Sequence, residues 1–140
     1  MLTAKEEKVL QAITVRSDND PTNPEFPPEC PRFPATPTVQ IAVPGFTNVW
    51  LKDESQNPTG THKDRMAWEM VVTYRDFLIS KKIGHIRKLP QLSIITSGTA
   101  GYTIQKRLRE YGLPPLKCLI DFRLDPFLKQ KLRAVGCELF

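Results

Sequence analysis

The sequence predicts an α/β fold in which a parallel sheet carries helices on both faces. From about residue 38 onward, short apolar runs alternate with longer segments whose apolar residues recur every three or four positions. Strand, helix and strand in succession build a parallel sheet through right-handed crossovers. The composition, 40% hydrophobic and 25% charged over 140 residues, is that of one small globular domain or of part of a larger one.

The residues before this alternation divide into two further segments. Residues 1–20 contain an amphipathic helix, predicted over 3–16, because a Thr-x-x-Glu capping box precedes apolar residues at helical spacing. Residues 21–37 contain seven prolines, which remove backbone donors and hold the chain extended. We interpret them as an arm wrapping its own domain, with a PxxP ligand as the alternative. The α/β core then occupies residues 38–140.

Five strands and three helices are predicted within the core. The strands are short runs rich in β-branched and apolar residues, at 38–42, 48–52, 92–96, 116–121 and 137–140. The first helix, over 63–81, has apolar residues three and four positions apart. The second helix ends at Gly112, and the third begins with Asp125 as its N-cap and ends at Gly136.

The charge balance indicates an anionic partner. Lys and Arg number 20 against 15 Asp and Glu, a net charge of +5, which suits a phosphate-bearing cofactor or nucleic acid. The densest basic run, 81–88, contains no aromatic residues to stack on bases, which argues against nucleic acid and for a solvated helix end. Three cysteines without a short pair spacing indicate reduced thiols and no metal site.

Membrane insertion and secretion are not expected. No stretch approaches the ~18 consecutive apolar residues of a spanning helix. The amino terminus, MLTAKEEKVL, carries charges where a signal peptide has an apolar block. We therefore expect a cytoplasmic location.

Two turns lie where a predicted strand leads into a helix, the usual place for ligands in parallel sheets. The first turn, 52–65, puts Lys63 at the start of a helix, where the helix dipole disfavours an ammonium group. The same field makes the neutral amine more available as a nucleophile, so Lys63 is a candidate Schiff-base former. The alternative is a solvent-exposed Lys63 that pairs with Asp64 or Asp53.

The second turn, 96–101, combines hydroxyl side chains with two glycines. Its backbone N–H groups and hydroxyls can surround a carboxylate or a phosphate, and glycine allows a close approach. The alternative is that Ser97 or Thr99 only caps the following helix.

Taken together, the two turns resemble one family. The segment NPTGTHKDR, 57–65, resembles the cofactor-lysine motif of the fold-type II pyridoxal-phosphate enzymes, which include threonine synthase, the β subunit of tryptophan synthase and cysteine synthase. Three further segments resemble family motifs in the family's order: Thr36-Pro37, Thr96-Ser97-Gly98 and Gly136-Cys137-Glu138. The resemblance covers residues 36–140.

The resemblance implies a role for each turn. Lys63 would form the Schiff base with pyridoxal 5'-phosphate and act as the base at the substrate Cα, and His62 and Thr99 would contact the cofactor. The substrate carboxylate would bind to Thr96, Ser97, Gly98, Thr99 and Ala100. The implied reaction is a β- or γ-elimination or replacement on a small amino-acid substrate.

The chain also departs from the family pattern. Thr99 stands where the family's loop usually has asparagine, and none of the seven glycines is adjacent to another, so the family's glycine-rich phosphate loop is not present. We expect the N-terminal portion of such an enzyme, with a missing C-terminal half and a homo-oligomeric state. The alternative is a catalytically silent binding or regulatory protein that retains the fold.

Overall fold

The computed structural model describes residues 1–13 and 35–140. In these ranges, four α-helices, five strands and one 3-10 helix (Glu54–Gln56) follow one another. They are α1 (Ala4–Ile13), β1 (Thr38–Val43), β2 (Phe46–Lys52), α2 (Asp64–Lys82), β3 (Ser93–Ile95), α3 (Thr99–Glu110), β4 (Lys117–Leu119), α4 (Pro126–Val135) and β5 (Glu138–Leu139). None of these helices is long and apolar enough to cross a membrane. Most of the proline-rich arm, with Cys30, lies outside the described residues, and the three-part division of the chain stays a prediction.

Helix α1 begins with the predicted capping box. The Thr3 N–H donates to a Glu6 carboxylate oxygen at 2.7 Å, and the Glu6 N–H donates to Thr3 Oγ1 at 3.3 Å. The helix packs on α2, where Lys81 Nζ lies 2.6 Å from Glu6 Oε1. Leu10 and Ile13 are buried there, so this segment belongs to the core of the described domain.

The first two strands form a separate antiparallel hairpin. Residues 44–45 connect β1 to β2, and Val43 pairs with Phe46 across that turn. A two-residue connection is too short for a crossover, which needs a dozen or more residues. The sequence prediction missed this pairing because it treated the two runs as part of one alternating series.

The remaining three strands form the predicted parallel sheet in the order β3-β4-β5. Right-handed crossovers between successive neighbours place both connecting helices on the same face. A Cβ on Gly101 of α3 would lie 3.1 Å from Cys118 Sγ of β4 and 3.4 Å from Leu132 Cδ2 of α4. The α/β class with a parallel sheet is confirmed, and the described crossover helices cover one of its faces.

The opposite face of this sheet is exposed. Ile95 and Leu119 pair across β3 and β4, and Phe140 lies beside them because its N–H donates to the Cys118 carbonyl. The exposed fractions are 81% for Ile95, 53% for Leu119 and 65% for Phe140. Parallel sheets are normally covered on both faces. We call this row, Ile95, Leu119 and Phe140, the open sheet face.

The core lies between α1, α2, α3 and the covered face of the sheet. Helix α2 contributes Val71, Tyr74 and Leu78, and α3 contributes Ile104 and Leu108, all essentially inaccessible to solvent. These are positions on the predicted apolar stripes. Burial of such side chains contributes roughly 1.5–3 kcal/mol each to stability. This packing holds α2 and α3 in place, and with them the two turns that precede these helices.

Candidate functional site

The two turns singled out in the sequence meet in space. The hydroxyls of Thr59 and Thr61 in the first turn lie 3.2 Å and 3.0 Å from Thr103 Oγ1 on α3. Thr103 is fully buried, so these contacts join the first turn to the first turns of α3. Between the turns lies a pocket of about 180 Å³, which we call the turn pocket. Its lining residues are Thr59, Gly60, Thr61, Gly98, Thr99, Tyr102, Leu128, Lys131 and Leu132.

A buried carboxylate holds the first turn in place. Asp64 is inaccessible to solvent, and its Oδ2 accepts hydrogen bonds from the Thr59 N–H at 3.0 Å and the Thr59 hydroxyl at 2.6 Å. Arg107 of α3 donates to the other oxygen at 3.4 Å. A carboxylate in the first turn of α2 is also favoured by the helix dipole. Asp64 therefore ties the turn to two helices at once.

Lys63 is the residue at the start of α2, as predicted. Its N–H donates to Thr61 Oγ1 at 3.1 Å, and its carbonyl accepts from Ala67 N–H at 2.9 Å. The side chain is half-buried, and its ammonium group has no hydrogen bond or ion pair with any described residue.

The alternative that Lys63 pairs with Asp64 or Asp53 is not what the structure shows. The Asp64 oxygens are taken by Thr59 and Arg107, and Asp53 accepts from the Ser55 N–H as the cap of the 3-10 helix. Lys63 lies three residues beyond the turn-pocket residue Gly60 but does not line that pocket.

The second turn is held from inside by a hydroxyl. Thr96 is buried, and its Oγ1 accepts from the N–H groups of Gly98 at 3.1 Å and Gly101 at 3.4 Å. Gly98 is the N-cap of α3 with φ of 134°, a backbone region that strongly favours glycine. The predicted alternative of a Ser97 or Thr99 cap is therefore wrong, because neither side chain caps this helix.

The other residues predicted for this turn are accessible. Ser97 and Thr99 are exposed, Ala100 is half-buried, and within the described ranges the Ser97 and Thr99 hydroxyls have no hydrogen-bond partner. Thr99 and Gly98 also line the turn pocket. Free hydroxyls beside the N-terminus of a 12-residue helix form an arrangement that can accept an anion. His62 is exposed and lies outside the turn-pocket lining.

Sequence reasoning missed the contribution of α4. Lys131, Leu128 and Leu132 line the turn pocket, and Lys131 Nζ lies 4.6 Å from the centre of the Tyr102 ring. The spacing of three and four residues predicted a packed face for α4. This spacing does not distinguish the α4 residues that pack on the core from the α4 residues that line the turn pocket.

A second polar cluster supports the first turn from outside. Glu54 accepts hydrogen bonds from Thr36 Oγ1 at 2.9 Å and Asn57 Nδ2 at 2.7 Å, and Lys52 Nζ lies 3.1 Å from its carboxylate. The hydrogen bond from Lys52 is the main cause that lowers the pKa of Glu54, followed by those from Thr36 and Asn57. Arg65 lies 3.6 Å away on the other side. The cluster connects the Thr36-Pro37 segment to the start of α2.

We expect this cluster to make folding stability depend on pH. Because the pKa of Glu54 is lower in the folded chain than in the unfolded chain, its contribution is complete above the unfolded-state pKa and is lost as the pH falls through the folded-state pKa. Glu54→Gln should lower the free energy of unfolding in urea at about pH 7, and the difference from the unchanged chain should shrink towards about pH 3. The matched control is Glu69→Gln, an exposed carboxylate on α2. A constant difference across this range would contradict the prediction.

Comparison with known proteins finds relatives of one kind. No protein-family model matches the chain. Cysteine synthase B of Escherichia coli is 33% identical over a match of 109 residues, and the match covers 74% of this chain and 33% of that protein. A putative cysteine synthase of Sinorhizobium fredii is 30% identical over 105 residues, 74% of this chain and 29% of that protein.

Two solved structures share the fold. O-ureido-L-serine synthase aligns with a TM-score of 0.53 and 24% identity, over 100% of this chain and 35% of its own. A hydrogen sulfide-producing enzyme from Fusobacterium nucleatum aligns with a TM-score of 0.50 and 24% identity, over 66% of this chain and 25% of its own. The chain thus spans about a third of the length of the curated relatives it matches.

Proposed function

Because the chain belongs to the fold-type II family of pyridoxal-phosphate enzymes, we propose that it is the part of such an enzyme in which Lys63 holds the cofactor as a Schiff base. The observation that carries this proposal is that Lys63, a half-buried residue at the start of α2, has an ammonium group without a partner in the described part of the chain. A structural lysine would normally be paired or fully solvated.

The residues present suit part of the cofactor. Lys63 offers a side-chain nitrogen without a partner among the described residues, and Thr99 of the second turn lines the turn pocket between the two turns. Pyridoxal phosphate, when bound, would delocalise the electron pair left at the substrate Cα. Since no two glycines are adjacent, we assign the phosphate contacts to polypeptide outside these 140 residues.

We propose that the chain's own residues position the substrate and move one proton. The second turn, 96–101, would receive the substrate carboxylate at the exposed Ser97 and Thr99 hydroxyls and at the start of α3, with Thr96 holding the turn's shape. Once the substrate amine has taken its place on the cofactor, the released Lys63 amine would take the proton from the substrate Cα. The reaction class is β- or γ-elimination or replacement on a small amino acid, and the names of the cysteine synthase relatives support the β-replacement form.

We further propose that additional polypeptide completes the site. The relatives are about three times as long as their match to this chain, and the open sheet face presents Ile95, Leu119 and Phe140 to solvent where a parallel sheet is normally covered. The hairpin adds exposed Phe46 and Trp50. A covering layer would bury these side chains and exclude water from the neighbouring turns. The homo-oligomeric state and the cytoplasmic location stay predictions.

A spectroscopic titration tests the proposal. Adding pyridoxal phosphate to the folded chain should give a yellow product with the visible band of a protonated Schiff base. The same chain in urea has the same lysines without the fold, and it should give a clearly weaker band at equal cofactor concentration. Equal bands in the two samples would contradict a specific site. A folded chain that stays colourless and binds another chain would favour the silent binding protein.

A further inference from the structure

A basic groove runs along the outer surface between α3 and α4. Its volume is about 640 Å³, and its lining residues are Tyr102, Lys106, Arg109, Glu110, Lys131, Ala134 and Val135. It shares Tyr102 and Lys131 with the turn pocket, so the two depressions adjoin. None of the residues assigned to the cofactor or to the substrate carboxylate lines this groove.

The positive charge of the groove is not neutralised. Its single acidic residue, Glu110, is engaged by Arg107 at 2.7 Å. Among the described residues, Lys106 and Arg109 have no ion pair, and the Lys131 ammonium lies over the Tyr102 ring. Arg109 and Lys131 are exposed and Lys106 is half-buried, so three cationic residues line the groove together with Tyr102 and Val135.

The groove continues along α4 towards an exposed aromatic ring. A second depression of about 360 Å³ is lined by Phe127, Gln130, Lys131 and Ala134, and 70% of Phe127 is exposed. The distance along the helix axis from Phe127 to Val135 is roughly 12 Å, a little over two helical turns. Apolar contacts and cations thus alternate over a length that a short helix can follow.

We propose that this groove binds an acidic amphipathic helical segment of a partner protein. Charge complementarity identifies the occupant: carboxylates on the segment would face Lys106, Arg109 and Lys131, and its apolar side chains would contact Phe127 and Val135. A nucleic acid fits less well, because its affinity comes mainly from the number of phosphates that cations neutralise, and this groove offers three cations beside an acid. The proposal does not depend on the cofactor.

Fluorescence anisotropy with a defined probe tests the groove. The probe is a fluorescein-labelled synthetic helical peptide with glutamates on one face and leucines on the other. We expect saturable binding to the full chain, weakened about tenfold by the double change Lys106→Glu and Lys131→Glu. Replacing the peptide's glutamates by glutamines should weaken binding similarly. The double change Arg87→Glu and Lys88→Glu, at two exposed residues in the loop before β3, alters the net charge by the same amount. It is the matched control and should change affinity less than about twofold.

Several outcomes would overturn the proposal. The first is that the glutamate peptide shows no saturable binding. The second is that the glutamine peptide binds as tightly as the glutamate peptide. The third is that the control variant loses as much affinity as the Lys106 and Lys131 variant. If a duplex oligonucleotide binds instead and the same double change abolishes that binding, the groove is a nucleic-acid site. Circular dichroism melting of each variant separates a lost contact from a lost fold.

Discussion

Replacing Lys63 by alanine is expected to abolish specific attachment of pyridoxal phosphate to the folded chain. Lys63 is a half-buried residue at the positive end of α2, and its ammonium group has no partner among the described residues, so this nitrogen is accessible to an aldehyde. Borohydride reduction makes the attachment permanent, and peptide mass spectrometry locates it. In the unchanged chain we expect the label on the peptide containing Lys63, and in Lys63→Ala we expect the total label per folded chain to fall about tenfold or more.

Lys131 provides the most demanding control for this assignment. It is the lysine that lines the turn pocket, and its ammonium lies over the Tyr102 ring. Lys131→Ala should leave the label on Lys63 essentially unchanged. Loss of labelling in Lys131→Ala together with its persistence in Lys63→Ala would move the reactive amine to α4. Lys63→Arg keeps the charge but not the reactive amine, so it separates chemistry from electrostatics.

The position of Lys63 could be predicted because a helix start has local signals. The Pro-Thr-Gly bend, the following acid and the apolar stripe of α2 lie within one stretch of sequence, and Lys63 is indeed the residue before α2. The Schiff-base role came from resemblance, not from these signals. The parallel sheet was likewise predictable, because each crossover is encoded as a strand followed by a helix of sufficient length.

The rest of the site depends on contacts between distant residues. Thr103 lies 44 positions after Thr59, yet their hydroxyls are 3.2 Å apart, and no periodic pattern identifies such a pair. The capping of the second turn was mispredicted for a related reason. Ser97 and Thr99 are the residue types that usually cap helices, but buried Thr96 already accepts from two N–H groups and Gly98 supplies the required backbone angle.

The open sheet face separates what the sequence predicts about the sheet from what it does not. The apolar runs containing Ile95 and Leu119 predict strands that are buried on both faces. The structure confirms that these strands pair in parallel. Right-handed crossovers put α3 and α4 on one face of the sheet, the face to which the Cys118 side chain points. The sequence therefore predicts the need for a second covering layer without saying which polypeptide provides it.

Removing the Asp64 carboxylate is expected to destabilise the chain far more than removing an exposed carboxylate such as that of Glu69. Asp64 is inaccessible to solvent and bonds to Thr59 and Arg107. Breaking a buried pair by removing one partner typically costs about 3–5 kcal/mol. Arg107 would keep its ion pair with Glu110 at 2.7 Å, so the lower end of this range applies, together with the loss of the acceptor for the two Thr59 donors. We expect a loss of this order for Asp64→Ala in urea unfolding, a large share of the roughly 5–15 kcal/mol that stabilises a small domain.

A double-mutant cycle shows whether this loss belongs to the pair. Arg107→Ala should also destabilise the chain, since it leaves the Asp64 carboxylate with the two Thr59 donors alone. The double variant should lose less than the sum of the single changes, with a coupling of about 0.5–3 kcal/mol. Glu69→Ala, on the same helix, is the matched control. Additive losses would mean that Asp64 acts through Thr59 alone, and that its contact with Arg107 adds nothing to the Thr59 and Thr61 contacts with Thr103 that join the first turn to α3.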